Sequence, residues 1–380
     1  MKVVVAIDSF KGSLSSNEAG IVIKEGILSV YGDAQVKIIP LADGGEGTVD
    51  SLVEGMDGIK ETLMVTGPIN EPIEASYGIL NESKTAIIEI AQASGLPMIP
   101  EELRNPLNTT TYGVGEIIKE AISKGCRHFI VGLGGSATND AGVGMLQALG
   151  FEFYNENGEL VGIGGRVLNE ITKIKADNKL KELDECTFKI ACDVNNPLYG
   201  FDGAAYIYGA QKGATPEIIE ELDRGLIHFS EVVKNDLDED VAQVEGVGAA
   251  GGLGYAFLSF LNAELESGID IIIEATKLEN YIKNADMVIT GEGRLDHQTA
   301  MGKAPIGVAK IAKKYNAKVI ALAGSVSDDA DTCNKAGIDA YFSIQTSPIT
   351  LEEAMDREVA SKNMKNNVVQ IFKLIKAIKN

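Results

Sequence analysis

The sequence predicts an α/β protein of two α/β domains, a Rossmann- or flavodoxin-like parallel-sheet domain with a second α/β domain inserted into it. Its 380 residues exceed the ~100 to 200 residues of one typical domain. Short β-branched runs alternate with segments of helical periodicity, which is typical of parallel sheets. The same alternation occurs near both ends of the chain, which favours one domain built from the two ends.

The elements near the two ends have specific local signals. A β-branched run at residues 3–7 predicts a buried parallel strand. Ser15 and Glu18 have the spacing of a capping box, and the apolar residues that follow at helical spacing predict a helix. Residues 36–39 then predict a second strand. Near the other end we expect strands at residues 287–290, 318–323 and 341–344, and a helix at 306–314.

The middle of the chain predicts a second set of elements. Its strand candidates are residues 85–90, 128–133, 151–154 and 188–192, and its helical stretch is 216–234. Domain boundaries fall in polar or Gly-rich connections, and such connections occur at residues 55–67 and 277–284. We therefore expect one domain from 1–62 plus 283–380, an inserted domain from 63–282, and an active-site cleft between them. A simple tandem of two domains is the alternative.

Charge and composition exclude several classes of function. Lys plus Arg number 34 against 55 for Asp plus Glu, so the formal net charge is −21 and the pI about 4.6. Nucleic-acid binding normally needs a basic face, so nucleic acid is not an expected partner. The scattered cysteines and histidines match no zinc site or disulfide framework, and no apolar run suits a membrane span. We expect a cytoplasmic protein with small-molecule substrates and no membrane association, with a homo-oligomer left open.

Four polar or Gly-rich loops follow predicted strands, where parallel α/β sheets place ligand-binding groups. In the first, Lys11 precedes a helix and could hold a phosphate or carboxylate together with Ser13. An ordinary surface lysine is the alternative interpretation. In the second, Asp43 and Glu46 could coordinate Mg²⁺ or accept a substrate proton, and a solvated turn is the alternative.

The third loop, residues 132–140, superficially matches the G-x-G-x-x-A dinucleotide pattern. The hydroxyl groups of Ser136 and Thr138 fit a phosphate-binding loop at least as well, because hydroxyl and backbone donors bind phosphate oxygens. An ordinary strand-to-helix turn is the remaining interpretation.

The fourth loop places Arg294 between Glu292 and Asp296. A planar guanidinium suits capture of a carboxylate or phosphate, and a local ion-pair network is the rival interpretation. The residues before Lys303 form no Walker A motif, and no G-x-S-x-G is present, which disfavours a P-loop NTPase and a serine hydrolase. Acid-rich glycine loops with a few cations suit phosphoryl transfer.

Seven ordered motifs connect these loops to a known family. They are DSFKGSLSS, PLADGGEGT, RNPLNTTTYGVGEII, GLGGSATNDAGVGMLQALG, ACDVNNPL, QKGA and TGEGRLDHQTAMGKAP, over residues 8–305. Together they resemble the type 1 glycerate kinase family. The resemblance implies two α/β domains, one inserted into the other, and phosphorylation of D-glycerate with ATP and Mg²⁺. The implied products are ADP and 2-phospho-D-glycerate, with the 3-phosphate as the alternative.

The resemblance also implies roles for residues inside the matching motifs. The acceptor of the glycerate hydroxyl proton would be Asp193, or next Asp296, and the catalytic set includes Lys11. Substrate binding is expected from Asp8, Ser13, Arg294, Gln298 and Thr299, with Arg104 as a reserve candidate. ATP binding is expected from Gly134, Gly135, Ser136, Thr138 and Asp140. Mg²⁺ binding is expected from Asp43, Glu46 and Glu292.

Two other classes of protein are alternatives. A NAD-dependent hydroxyacid dehydrogenase would need an acidic residue at the end of the strand after the third loop. Glu152 lies too early in that strand and Glu156 lies in its turn. A non-catalytic small-acid sensor would keep the fold without turnover, but a pure anion binder has little use for the carboxylates of Asp43, Asp193 and Asp296.

Overall fold

The computed structural model describes residues 1–42, 45 and 47–379, so Asp43, Gly44, Glu46 and Asn380 lie outside the described residues. These residues form two compact units: unit 1 lies within 1–43, 50–57 and 269–380, and unit 2 within 44–49 and 58–268. The domain limits expected at 62 and 283 stay a prediction.

The strands are β1 Lys2–Ile7, β2 Gln35–Pro40, β3 Gly58–Thr66, β4 Pro72–Leu80, β5 Thr85–Glu89, β6 His128–Gly132, β7 Glu152–Tyr154, β8 Lys173–Lys175, β9 Thr187–Ala191, β10 Glu264–Glu266, β11 Met287–Leu295, β12 Lys318–Val326 and β13 Ala340–Ser343. The α-helices are α1 Ser16–Val30, α2 Thr48–Gly55, α3 Ala91–Ser94, α4 Tyr112–Ser123, α5 Val143–Ala148, α6 Ala204–Tyr208, α7 Pro216–Leu237, α8 Ala249–Leu261, α9 Gly268–Ala275, α10 Leu278–Ile282, α11 His297–Ala300, α12 Ala304–Lys314, α13 Asp331–Lys335, α14 Leu351–Met355 and α15 Arg357–Lys379. Short 3-10 helices are Leu96–Met98, Glu101–Leu103, Gly165–Asn169, Lys181–Glu185 and Ala210–Lys212.

Unit 1 contains a parallel sheet built from both ends of the chain. Its strand order is β13-β12-β11-β1-β2, and every described pairing in it is parallel. Val3, Val5 and Ile7 of β1 share one core cluster with residues of α1 and α15 such as Ile23 and Phe372. Helices cover the sheet at β1, which is why β1 is a continuous apolar run.

The capping box predicted at the start of α1 is confirmed. The Ser15 hydroxyl accepts a hydrogen bond from the Glu18 backbone N–H at 3.2 Å, and the Ser15 N–H donates to the Glu18 carboxylate at 2.9 Å. Each side chain satisfies a backbone donor that the first helical turn leaves unpaired. The local sequence therefore determines where α1 begins.

Unit 2 contains a mixed sheet of strand order β10-β9-β6-β5-β4-β3. The β3–β4 and β4–β5 pairings are antiparallel, and the other pairings are parallel. Phe129 of β6 stacks on Phe188 of β9 with ring centroids 4.7 Å apart. Residues 55–67, where the sequence indicated a connection, hold the strand β3.

The predicted fold class, α/β with a parallel sheet, is confirmed. The C-terminal helix α15 buries Met364, Val368 and Phe372 in the core of unit 1. Among the described residues, no helix is both long enough and apolar enough to cross a membrane.

Candidate functional site

A cavity of about 400 Å³ lies in unit 1 at the carboxyl ends of β1, β11, β12 and β13. The chain leaves β1 towards β2 on one side and leaves β11 towards β12 on the other. Loops diverge at such a switch point, and open α/β sheets bind ligands there. The charged residues that line the cavity are Asp8, Lys11, Glu292, Arg294, Asp296 and Lys303.

The loop after β1 supplies one side of this cavity. Asp8 is buried, and its carboxylate accepts a hydrogen bond from the Ser9 N–H at 2.6 Å. Phe10 and Leu14 form an isolated antiparallel bridge, so the loop containing Lys11 is a tight, defined turn. The Ser13 hydroxyl lines the cavity and is buried with no hydrogen-bond partner among the described residues. Such an orphaned donor fits a site for a ligand oxygen.

The end of β11 and the start of α11 supply a second side. Asp296 is the N-cap of α11, and one of its oxygens accepts from the Thr299 N–H at 3.2 Å. The other oxygen lies 3.7 Å from Nε of Arg294, whose side chain is 67% exposed. An ion pair of this exposure contributes little to stability, so the local ion-pair interpretation does not account for Arg294 by itself. The Thr299 hydroxyl donates to Glu292 at 2.6 Å.

Lys303 is a cavity residue that the sequence interpretation missed. It is the N-cap of α12, and its side chain lines the cavity together with Lys11 and Arg294. The Gly302–Lys303 pair is the signal for it in the sequence, although this pair belongs to no Walker A motif. Gln298, by contrast, is exposed on α11 and is not one of the cavity residues.

The loop after β6 lies in unit 2 and is held by its own hydroxyl groups. The Thr138 N–H donates to the Ser136 hydroxyl at 3.1 Å, and the two hydroxyl oxygens are 3.0 Å apart. Both side chains are buried, whereas Gly134 and Gly135 are exposed. Gly135 has φ +76°, a left-handed conformation that glycine adopts without strain. The exposed glycines offer backbone donors, as phosphate-binding loops do.

Asp140 is buried at the end of this loop. Its carboxylate accepts hydrogen bonds from the Thr111 N–H at 2.8 Å and hydroxyl at 2.9 Å, and from the N–H groups of Gly142 at 3.1 Å and Gly144 at 3.3 Å. Burial raises the pKa of Asp140, and these hydrogen bonds act in the opposite direction. Thr111 and Gly142 are the N-caps of α4 and α5, so Asp140 joins the starts of two helices.

The remaining predicted residues lie elsewhere. Asp193 is exposed at the end of β9 in unit 2, where its carboxylate accepts from the Gly268 N–H at 3.1 Å. Arg104, also in unit 2, donates from Nε to the Ile99 carbonyl at 3.2 Å. Asp43 and Glu46 lie outside the described residues.

Among the residues that the structure describes, no group of three or more His, Cys, Asp or Glu could hold a metal ion. Mg²⁺ commonly binds through one or two carboxylates plus phosphate oxygens, and Glu292 in the cavity fits that pattern.

Substitution of Gly251 tests how tightly the loop after β6 is packed. Gly251 has φ +70°, and a Cβ there would lie 2.0 Å from the Thr138 carbonyl oxygen, whereas Gly158 has φ +75° with nothing within 4 Å. Gly158→Ala is expected to lower the free energy of unfolding by about 1–2 kcal/mol through backbone strain alone. Gly251→Ala is expected to lower the free energy of unfolding clearly more than Gly158→Ala does, and urea unfolding measures both decreases. Equal decreases in the free energy of unfolding would show that the loop after β6 shifts to accommodate the added Cβ at no extra cost.

Comparison with known proteins first identifies a class: several relatives are named as glycerate kinases, which indicates a phosphotransferase that acts on an alcohol group and uses ATP. Residues 3–376 match the glycerate kinase family. The chain belongs to that family.

Individual relatives support the same assignment. "Glycerate 2-kinase" of Escherichia coli (strain K12) is 49% identical over 354 residues, which cover 93% of each chain. "Glycerate kinase" of Bacillus subtilis (strain 168) is 45% identical over 379 residues, which cover 100% of this chain and 99% of the relative. A crystal structure of a proposed glycerate kinase 2 from Salmonella typhimurium LT2 is 44% identical with a TM-score of 0.93, covering 100% of this chain and 99% of that chain.

Proposed function

We propose that the protein phosphorylates D-glycerate at its 2-hydroxyl group, with ATP as donor, to give 2-phospho-D-glycerate and ADP. The observation that carries this proposal is the 49% identity over 354 residues to a relative named glycerate 2-kinase. The cavity in unit 1 supports it, because Lys11, Arg294 and Lys303 surround a space that also contains carboxylates. A small hydroxyacid needs such cations for its carboxylate and a base for its hydroxyl group.

In this proposal Arg294 and Lys11 bind the glycerate carboxylate or the transferring phosphoryl group. A guanidinium presents paired donors to a carboxylate, and a lysine supplies a point charge. Ser13 donates its orphaned hydroxyl to the substrate, and Asp8 binds a substrate hydroxyl group. Gln298 and Thr299 act at the edge of the same site, where Thr299 holds Glu292 and Asp296. Arg104 stays a reserve candidate.

The base that accepts the hydroxyl proton is Asp296 in this proposal, with Asp193 as the alternative. The sequence motifs favoured Asp193, but Asp296 lines the same cavity as the cations proposed to bind glycerate. One oxygen of Asp296 is engaged by the α11 N-terminus, which orients the other oxygen for proton transfer.

The exposed glycines and the Ser136 and Thr138 hydroxyl groups are proposed to bind ATP phosphates. Asp140 acts there as a positioning residue, because its carboxylate is used by four hydrogen bonds from the chain itself. Mg²⁺ would be held by Glu292, and Asp43 and Glu46 stay the candidates that the sequence motifs offer. When bound, Mg²⁺ offsets the charge of the phosphate oxygens.

The reaction product tests the proposed function directly. Purified protein incubated with D-glycerate, ATP and Mg²⁺ is expected to produce a new phosphomonoester signal in the ³¹P NMR spectrum. Coupling to a single carbinol hydrogen identifies the 2-phosphate, and coupling to two identifies the 3-phosphate. Protein that binds ATP and yields no phosphomonoester would refute D-glycerate as the substrate. Reactions with NAD or without enzyme are the controls.

A further inference from the structure

A buried lysine, Lys212, lies beneath the loop proposed to bind ATP phosphates. It ends the 3-10 helix Ala210–Lys212 and is 3% exposed. Its ammonium group donates to the Thr138 carbonyl oxygen at 2.6 Å and lies 3.5 Å from the Ser136 hydroxyl. Lys212 belongs to the QKGA motif, to which no role has been assigned above.

We propose that Lys212 is a positioning residue of the nucleotide site: its ammonium group fixes the backbone of the loop and places a positive charge directly beneath the ATP phosphates. This inference rests on the proposed function in one respect, that this loop is where ATP binds.

The energetics of burial support this role. An ammonium group removed from water is costly unless it is compensated, and a methionine would fill the same space without that penalty. Burial lowers the pKa of Lys212 to about 7, and the nearby Asp140 carboxylate acts in the opposite direction. The Asp140 carboxylate is the negative charge that acts on Lys212, and its oxygens already accept hydrogen bonds from Thr111, Gly142 and Gly144. Asp140 therefore offsets only part of the cost of burying the Lys212 charge, and a bound phosphate would offset the rest.

This arrangement couples ATP binding to protonation. Negative phosphates near Lys212 favour its charged form and raise its pKa. Because the free site holds a partly deprotonated lysine above pH 7, ATP binding takes up part of a proton there. Linkage then requires that the affinity for ATP falls as the pH rises above about 7.

Isothermal titration of the full chain with ATP and Mg²⁺ tests the proposal, without glycerate present. Titrations near pH 7.5 in buffers of different ionisation enthalpy measure the protons taken up. The wild-type chain is expected to take up a fraction of a proton per ATP. Lys212→Arg keeps donors and charge, so it is expected to bind ATP within about threefold of wild type with no linked proton uptake, since arginine stays charged. Lys212→Met is expected to bind at least about tenfold more weakly.

Lys179→Met is the matched control, because Lys179 lies in unit 2 and pairs with Asp184 at the surface. It is expected to bind ATP and take up protons as wild type does.

The proposal is overturned if folded Lys212→Met binds ATP like wild type, or if Lys212→Arg retains the proton uptake. If Lys212→Met does not fold, Lys212→Arg still decides. A wild-type chain that binds ATP yet makes no phosphoglycerate contradicts the proposed substrate and leaves this test intact, whereas one that binds no ATP overturns the inference.

Discussion

Asp296→Asn is expected to lower kcat by about 10²- to 10⁴-fold, which is the usual contribution of a general base. Asparagine cannot accept the hydroxyl proton. It is as good an N-cap as aspartate, so the hydrogen bond from the Thr299 N–H that starts α11 is retained. The loss is therefore expected in kcat rather than in stability, and steady-state kinetics together with thermal unfolding measure both.

Two further variants make this prediction decisive. Asp331→Asn removes a surface carboxylate of unit 1 that pairs with Lys335, and it is expected to leave kcat unchanged. Asp193→Asn tests the alternative base. A large loss in Asp193→Asn with near-normal kcat in Asp296→Asn would move the role to Asp193. Normal turnover in both correctly folded variants would show that neither aspartate is the base.

Arg294→Met is expected to raise KM for D-glycerate by about 10- to 100-fold, because a hydrogen-bonded charge pair with the carboxylate is lost. Arg294 is largely exposed, and its described ion pair with Asp296 is long at 3.7 Å, so little loss of stability is expected. Arg294→Lys keeps the charge without the paired donors, and we expect an intermediate KM. Initial rates at varied D-glycerate and saturating ATP measure the effect.

The matched control is Arg224→Met, which removes an exposed arginine from α7 in unit 2. We expect its KM for D-glycerate to equal that of wild type. If Arg294→Met has a normal KM for D-glycerate and a raised KM for ATP, the roles proposed for the cavity and for the loop after β6 must be exchanged. The cavity in unit 1 would then bind the nucleotide, and the loop after β6 would bind glycerate.

Local sequence signals predicted much of the fold. The capping box of Ser15 and Glu18 and the β-branched run of β1 depend on neighbours a few residues away, and both were confirmed. Residues 58–66 were misjudged as a connection because β3 alternates exposed and half-buried residues at the edge of its sheet. An edge strand of this kind lacks the continuous apolar run that identifies the central strands.

The candidate site was predictable in part for a related reason. The glycine loops with Lys11 and Arg294 follow strands, so their positions at the sheet edge could be inferred from order along the chain. Lys303 and Lys212 gain their importance from residues far away in sequence. Lys303 lines the same cavity as Lys11, and the Lys212 ammonium group donates to the Thr138 carbonyl oxygen. At Asp140, no local pattern indicates the burial of the carboxylate or its four internal hydrogen bonds.

The sheet of unit 1 places β1 beside β11, strands that are separated along the chain by all of unit 2. During synthesis on the ribosome, β1, α1 and β2 emerge early and must wait for β11 to β13 before their sheet can close. Unit 2 is almost continuous in sequence, so it can fold while the rest is still being made. The cavity with Lys11 and Arg294 can therefore form only after β11 to β13 have been made. A chain that stops before β11 would lack Arg294 and the other cavity residues that follow it, so no turnover of substrate is expected from it.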